Sequence, residues 1–540
     1  METKSITESR ATSIVLRLIV ISSIVRGFIG GTMEFSNDEV YYWTYALYPE
    51  LSHFDHPPMV GWVIQLFTFN LALPYEFFMR LGGVVFAGIN TFLAFKIASR
   101  LKDNIAGIYA AFLYTSSIYA SILAGIFIIP DTPQTLFWML SLYFLMESLP
   151  KEKIDSKARL NLVLGGLMIG LAGLSKYHGA FIGIGVALYA IIADRRWLKD
   201  WSLWAAGLVA VLCMTPVLLW NYGNDFISFT FHTERVTPAL EVRLDYFFTE
   251  VGGQIAYNNP WNWYLIIAAL VGIFKGKKVM EKKQLQVLLY NGLPLILVFT
   301  SFAIFRRTLP HWTGPGYLPL IIIAAVYWRV KLIDSKAKNA WRLWKPRRIV
   351  GSTTFLTVLL AIAYWLINYS PIQLGKNDIN KPEVFGEYDF TQDMYGWRQI
   401  NKKIIPIIDK DVEAGNMPKD AKFVGFEWFP GTHIDFYIAY PNHHKMIMMG
   451  NWDQIHKYAW INEDRGGLEK GEDVYFINVT NWERDVHKQF GNYFEKIEEV
   501  DRVEVTRSGV LMRYAYLYRL RGYKGNYDFP NPHEKKHKLK

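Results

Sequence analysis

Residues 12–30 read TSIVLRLIVISSIVRGFIG, a stretch of near-continuous apolar character. As a helix it spans close to the ~30 Å of bilayer hydrocarbon. Arg17 and Arg26 interrupt it and no small-x-small cleavage site follows, so it reads as a retained span and not as a removed signal. Comparable runs recur at 76–99, 105–126, 132–149, 161–175, 178–193, 202–220, 260–274, 284–304, 313–330 and 349–367. The shorter run 57–73 opens with Pro57-Pro58 and is expected to form a helix lying at the interface. The fold class that follows is a polytopic α-helical membrane protein of about eleven spans (range 10–13). A soluble extracytoplasmic α/β domain follows the last run, which divides the chain into a transmembrane domain, 1–369, and a soluble domain, 370–540.

Composition agrees. Of 540 residues, 51% are hydrophobic, 16% aromatic and only 20% charged. The formal net charge of +10 sits in the apolar part, while the last 170 residues are close to neutral. A nucleic-acid-binding role would need a solvated basic domain, and none is present. Cys213 is the single cysteine, so no disulfide can form within the chain.

Positive charge sets the expected orientation. With the N-terminus inside, the inner segments are the tail to Arg17, then 100–104, 151–159, 194–200, 275–283 and 329–348. They hold 25 of the 33 Lys and Arg of the apolar part, whereas the outer loop from Gly27 to Tyr75 has none. The expectation is a multi-pass protein of a bacterial inner membrane, N-terminus cytoplasmic and C-terminus periplasmic.

On this topology the polar residues collect at one surface. His53, His56, His178, His232 and His311 fall on outer loops or outer span ends, as do Asp38, Glu39, Asp55, Asp131, Lys176, Arg306 and Arg307. A transporter would tend to place ionisable groups near the midplane; a one-sided arrangement favours an enzyme at the outer leaflet. In the first loop, Asp38 and Glu39 open an aromatic-rich stretch expected to lie flat on the membrane. A partly desolvated carboxylate there suits a general base, and an N-cap is the plainer reading. His53-Phe54-Asp55-His56 is open to two readings, a divalent-metal site or a hydrogen-bonded turn before two prolines. Asp131, between Pro130 and Pro133, either caps the next span or joins a site. Lys176 either snorkels to headgroups or meets phosphate. Arg306-Arg307 runs against the positive-inside trend, and guanidinium groups bind phosphate through several oriented donors.

In this order, Asp38-Glu39-x-Tyr41-Tyr42-Trp43, Asp55-His56-Pro57-Pro58, Pro130-Asp131-x-Pro133, Leu174-Ser175-Lys176-Tyr177 and Pro310-His311-Trp312, the sequence resembles bacterial membrane glycosyltransferases of the dolichyl-phosphate-mannose:protein mannosyltransferase type. These have the GT-C fold and include the lipid A aminoarabinose transferases. The resemblance runs from about residue 14 to 368 and is most specific in the first 180 residues. More weakly, Asp393-Met394-Tyr395-Gly396-Trp397 and His433-Ile434-Asp435-Phe436-Tyr437 are similar to segments of the periplasmic domains of bacterial members. It implies Asp38 as catalytic base with Asp131 beside it; Glu39, Asp55 and His56 are expected, from their place in the same outer loop, to support the site or the acceptor side. It implies Lys176 on the lipid-phosphate side of the donor, and more loosely Arg306, Arg307 and His311 there too. Two departures are visible. His56-Pro57-Pro58 replaces a longer Lys-Pro-Pro-type element, and His178 stands where a small or hydroxyl residue is usual.

Residues 422–426, 445–448, 473–477 and 511–516 read as strands, with a short helix over 432–440. Trp428, His433, Asp435, His443 and His444 form either a sugar platform or ordinary buried aromatics with a surface histidine pair. The expected function is transfer of a sugar from a polyprenyl-phosphate carrier to a glycan, lipid or protein acceptor at the outer face, with inversion. No Gly-rich nucleotide loop is present, and no cofactor is required, a divalent metal (His53, Asp55, His56) being the one candidate. Membrane lipids are the expected surroundings and nucleic acid is not a partner. The alternatives are an outer-face transferase or ligase acting without a sugar, and a lipid-linked glycan transporter.

Overall fold

A computed structural model describes residues 6–236, 241–334, 347–482 and 484–533. The basic stretch 335–346 and the tail 534–540, expected to be an inner loop and a solvated end, lie outside the described residues. The chain forms two compact units, neither of them contiguous in sequence. The first comprises residues 1–31, 56–220 and 232–360; the second comprises 32–55, 221–231 and 361–540.

The first unit is helical. Each of the eleven apolar runs is helical in whole or in part, and among the described residues six helices are long and apolar enough to cross a membrane, or seven if one bent pair counts as a span. The six are Glu8–Thr32, Glu76–Leu101, Ser156–Ser175, Lys282–Phe302, Pro310–Asp334 and Ile349–Asn368. The bent pair, Trp201–Cys213 and Thr215–Gly223, turns by 42° ahead of Pro216, whose missing N–H and ring break the ladder there. The remaining runs fall short for visible reasons. Asp131–Ser148 is eighteen residues long but polar in its first turns. The 105–126 run breaks at Ser117 between Asn104–Ser116 and a π-turn, Tyr119–Leu123. Pro260–Phe274 has only fifteen residues. The run after Pro57-Pro58 gives the nine-residue helix Met59–Phe67.

Gly314–Asp334 is the core helix of this unit, buried without a break from Gly314 to Tyr327. Apolar character all round is what such a position demands. It crosses Lys282–Phe302 at Gly292 and Gly316, where a Cβ on either residue would stand 2.7 Å from the other's carbonyl oxygen. Only glycine permits that approach, the small-residue contact by which helices associate in lipid. Large apolar side chains left exposed lie on other helices, such as Val20, Ile21 and Ile24 on Glu8–Thr32 and Leu208, Val211 and Leu212 on Trp201–Cys213. An apolar surface of this extent calls for a lipid solvent.

The second unit is built on a five-stranded sheet of order β2-β1-β3-β5-β4. The strands are β1 (Phe423–Gly425), β2 (Met446–Met448), β3 (Val474–Val479), β4 (Phe494–Arg507) and β5 (Val510–Tyr523). β1 pairs in parallel with β2 and β3; β5 runs antiparallel to both β3 and β4. β4 and β5 form a hairpin turned at Ser508-Gly509, both with positive φ (49° and 80°), which suits the twist of the two strands. The amphipathic helix Trp397–Glu413 buries Trp397, Ile400, Ile404 and Ile408 at helical spacing.

Candidate active site

In the first unit, Lys176 and Asp131 form a buried ion pair, Nζ to Oδ2 at 2.7 Å, with side chains 5% and 3% exposed. Lys176 leaves the C-terminus of Ser156–Ser175 in extended conformation, and Asp131 opens the helix Asp131–Ser148. Asp131 makes no capping bond; the residue before that helix is Pro130, and the hydroxyl of Thr132 bonds the preceding turn instead. Burial likewise removes the snorkelling reading of Lys176.

The second carboxylate oxygen of Asp131 accepts a 2.9 Å hydrogen bond from the Tyr119 hydroxyl. Tyr119 sits on the π-turn after the break at Ser117, and its ring lies against Gly314, where a Cβ would come within 2.4 Å of it. The sequence does not point to Tyr119, because a tyrosine in an apolar run carries no signal of its own. His311 and His178 lie near enough to act on this pair electrostatically. His178 packs edge-on to Phe299 (4.8 Å between ring centroids), and the His56 and His232 rings are 6.2 Å apart. Arg306 and Arg307 stand on the loop before Pro310, the first half-buried and the second exposed.

In the second unit, the helix Asn37–Leu47 carries Asp38 and Glu39 with Ser36 as its N-cap. Glu39, fully buried, reaches back to the Ser36 N–H (3.1 Å) and hydroxyl (2.9 Å), the reciprocal arrangement of a capping box. Capping is therefore the work of Ser36 and Glu39, and the carboxylate of Asp38 is exposed. Eight of the eleven residues of this helix are buried. The expected stretch lying flat on a membrane is instead covered by the protein itself. Trp43 meets Phe436 and Tyr440 edge-on at 5.1 and 5.0 Å, and Tyr41 lies 5.3 Å from Trp428. A helix with aromatic residues all round needs cover on every side, and protein supplies it here.

Asp55 is buried and accepts from the hydroxyls of Tyr41 (2.7 Å) and Tyr45 (2.6 Å). Burial, then the Asp55 charge, pushes both phenols well above their ordinary range, so they remain donors. His53 meets the Lys457 ammonium through Nδ1 at 2.7 Å and packs against Tyr45 in a tilted arrangement, 3.7 Å between ring centroids. Burial lowers the Lys457 ammonium to about 8, against the opposing pull of Glu50. These commitments do not fit a cation: His53 turns a nitrogen to an ammonium and Asp55 already holds two phenols. Among the described residues no three of His, Cys, Asp and Glu gather as a metal site would require. His433 and Asp435 are fully buried structural groups, Asp435 paired with Arg465 at 2.8 Å, which removes them from any sugar platform.

Residues 55–220 match the family model described as dolichyl-phosphate-mannose-protein mannosyltransferase. The chain is 24% identical over 300 residues to the lipid A galacturonosyltransferase RgtD of Rhizobium johnstonii, covering 54% of this chain and 60% of that protein. It is 25% identical over 368 residues to the undecaprenyl phosphate-alpha-4-amino-4-deoxy-L-arabinose arabinosyl transferase of Edwardsiella ictaluri, covering 63% and 61%. The chain thus spans less than two thirds of the length of these curated relatives. In fold it is similar to ArnT from Cupriavidus metallidurans, in the apo state (TM-score 0.59, 14% identity, 93% of this chain and 97% of that one). The same holds for ArnT bound to undecaprenyl phosphate (TM-score 0.59, 16% identity, 95% and 98%). Residues 55–220 are thus similar to the dolichyl-phosphate-mannose-protein mannosyltransferase family, and the fold as a whole is similar to that of ArnT.

Proposed function

We propose that this protein transfers a sugar from a polyprenyl-phosphate carrier to a hydroxyl acceptor at the outer face of a bacterial inner membrane. The observation that carries this reading is the sealed Asp131–Lys176 pair with Tyr119 in a unit whose surface demands lipid. An ammonium has three N–H donors, and Asp131 engages one, fixing the group in place for an anionic partner. A lipid phosphate is the anion such surroundings offer, and a structural relative was solved with undecaprenyl phosphate bound. Sugar nucleotides are confined to the cytoplasm, so a lipid phosphate is also the sensible leaving group outside.

In this mechanism Asp38 takes the proton of the acceptor hydroxyl as its oxygen attacks the anomeric carbon. The bond to the phosphate oxygen breaks on the opposite side and the configuration inverts. Lys176 stabilises charge on the departing phosphate, with Arg306, Arg307 and His311 as further phosphate-side groups, while Asp131 and Tyr119 hold Lys176 in position. Glu39 is the cap of the base-bearing helix, and Asp55 organises the loop behind it. The charge partition supports an N-terminus in the cytoplasm and a C-terminus in the periplasm. The acceptor is a glycan, a lipid such as lipid A, or a protein hydroxyl.

The test is to incubate the purified chain in liposomes with polyprenyl-phosphate sugars and candidate acceptors, and to identify products by mass spectrometry. Sugar-bearing product that disappears in Asp38→Asn supports the reading. A product modified without a sugar, or donor moved across the bilayer without transfer, would replace it with the corresponding alternative.

A further inference from the structure

The helix that carries Asp38 is held at both ends by residues hundreds of positions away in sequence. Just before it, the buried Glu34 carboxylate accepts from the backbone N–H groups of Trp397 (2.8 Å) and Arg398 (2.9 Å). These are amides at the positive end of Trp397–Glu413, where the helix has no partners of its own for them. Gly396, at φ +92°, turns the chain into that helix. A side chain there would be strained and would also strike Val505. Next to Glu34, the Phe35 N–H donates to the Tyr437 hydroxyl (2.8 Å), and the Phe35 carbonyl accepts from His433 Nε2 (3.0 Å). Asn37 adds a 3.2 Å bond to Asp393.

At the far end Lys457, 1% exposed, donates to the Tyr48 carbonyl and to His53, and it stands 3.4 Å from Glu50. Its backbone N–H reaches the Tyr41 hydroxyl at 3.3 Å, and Arg465 Nε reaches the Tyr48 hydroxyl at 3.0 Å. An eleven-residue helix has little stability of its own, so its placement comes from these contacts.

We propose that Glu34 and Lys457 are positioning residues that lock the Asn37–Leu47 helix onto the C-terminal sheet domain, so that this domain sets where the Asp38 carboxylate stands. The inference rests on the reading of Asp38 as base and gives the soluble domain its role in the reaction. A base must meet the acceptor proton at hydrogen-bond distance, and the short aspartate side chain cannot compensate for a shifted backbone.

The experiment uses the full chain in detergent and four variants: Glu34→Gln, Lys457→Met, Lys457→Arg and Tyr437→Phe. Hydrogen exchange followed by mass spectrometry reads peptides covering 36–48 against those covering β3 and β5. Single-turnover transfer reads the chemical step, and titration with undecaprenyl phosphate reads donor affinity. Exchange over 36–48 should rise about tenfold in Glu34→Gln and Lys457→Met while β3 and β5 keep their protection. The transfer rate should fall roughly 10–100-fold, as expected for a misplaced catalytic group, with donor affinity changed less than about twofold. Lys457→Arg should recover most of the rate. Tyr437→Phe, which removes one hydroxyl, should show a smaller effect of the same sign, and it stands in if a charge-removing variant does not fold.

Unchanged exchange over 36–48, or faster exchange there with an unchanged transfer rate, overturns the proposal. So does a rate that falls only in step with loss of protection in β3 and β5, since that marks a purely structural role. A wild-type chain that transfers no sugar defeats the functional reading and the assignment of Asp38 with it, whereas the exchange data still report separately whether the helix is clamped.

Discussion

Lys176 Nζ stands 2.7 Å from Asp131 Oδ2, and neither side chain is more than 5% exposed. Removing one member of such a pair leaves a buried charge without compensation, at a cost of about 3–5 kcal/mol, whereas removing both is often close to neutral. Asp131→Asn and Lys176→Met should each lower the thermal midpoint of the detergent-solubilised protein, and the double variant should recover most of the loss. Donor affinity should not recover. If Lys176 meets the donor phosphate, as proposed, that contact is worth about 1.5–3 kcal/mol, or roughly 10–150-fold in binding of undecaprenyl phosphate. A double variant with wild-type donor affinity would make the pair purely structural.

Tyr119 offers a finer probe of the same cluster. Tyr119→Phe loses one hydrogen bond to Asp131, worth about 1 kcal/mol and about fivefold in donor affinity if Asp131 holds Lys176 in place. Gly314→Ala should be at least as damaging, because its methyl would stand 2.4 Å from the Tyr119 ring and displace it. An unaffected Gly314→Ala protein would show that the Tyr119 contact carries nothing.

Asp38 and Glu39 are adjacent but differ in their surroundings, and that difference predicts opposite responses. Asp38→Asn should leave the thermal midpoint unchanged, since the side chain is exposed and the cap is made by Ser36 and Glu39. The transfer rate should nevertheless fall about 10²–10⁴-fold. Glu39→Gln preserves a capping box and should stay near wild-type activity, whereas Glu39→Ala should cost about 1 kcal/mol of stability. An active Asp38→Asn enzyme would sink the mechanism and leave the fold untouched.

The helical class was legible because apolar length reports burial in lipid directly, and every run that was read is helical in whole or in part. What the runs could not reveal is where a helix breaks: Ser117 and Met214 are unremarkable residues, and the breaks follow from packing and from Pro216. Asp131 and Lys176 stood out as charges beside apolar spans, but their pairing is a contact 45 residues apart that no local pattern encodes. The four strand-like runs of the C-terminal domain coincide with β1, β2, β3 and β5. β4 carries no strand-like pattern in the sequence because FEKIEEVDRVEVTR is rich in charge, which suits an edge strand exposed to water. The cover on Tyr41 and Trp43 comes from residues some 390 positions later, so the same aromatic stretch read as a membrane surface.

Charge partition makes a separate prediction about orientation. A reporter fused after Met280 should lie in the cytoplasm, and one fused after residue 540 should lie in the periplasm, because 25 of the 33 basic residues of the apolar part fall on the segments read as inner. A cytoplasmic C-terminus would put Asp38 on the wrong side for an acceptor outside the cell.

The contact between His433 and Phe35 predicts how the sheet domain responds to acid. Burial, with the Arg513 charge adding to it, lowers the His433 imidazole to about 3, against the Phe35 carbonyl that favours the protonated ring. The folded state therefore holds the ring neutral, while an unfolded chain takes up a proton near 6.5. The unfolded state binds more protons throughout that window, so this stabilisation is fully present above pH 6.5 and is lost progressively as pH falls toward 3. Denaturant unfolding followed by exchange protection of β3 should show a midpoint that drops from pH 7 to pH 4. His433→Gln keeps an N–H donor for the Phe35 carbonyl and cannot titrate in this range, so its midpoint should be lower at pH 7 and nearly level over the same interval. A variant with the same acid slope as wild type would assign the acid sensitivity to another group that folding holds unprotonated, which Asp393 and Asp435 are not. Both of those carboxyls are raised by burial, which gives a dependence of the opposite sign: stability gained as pH falls through the folded value. The direction of the slope alone therefore separates the two explanations.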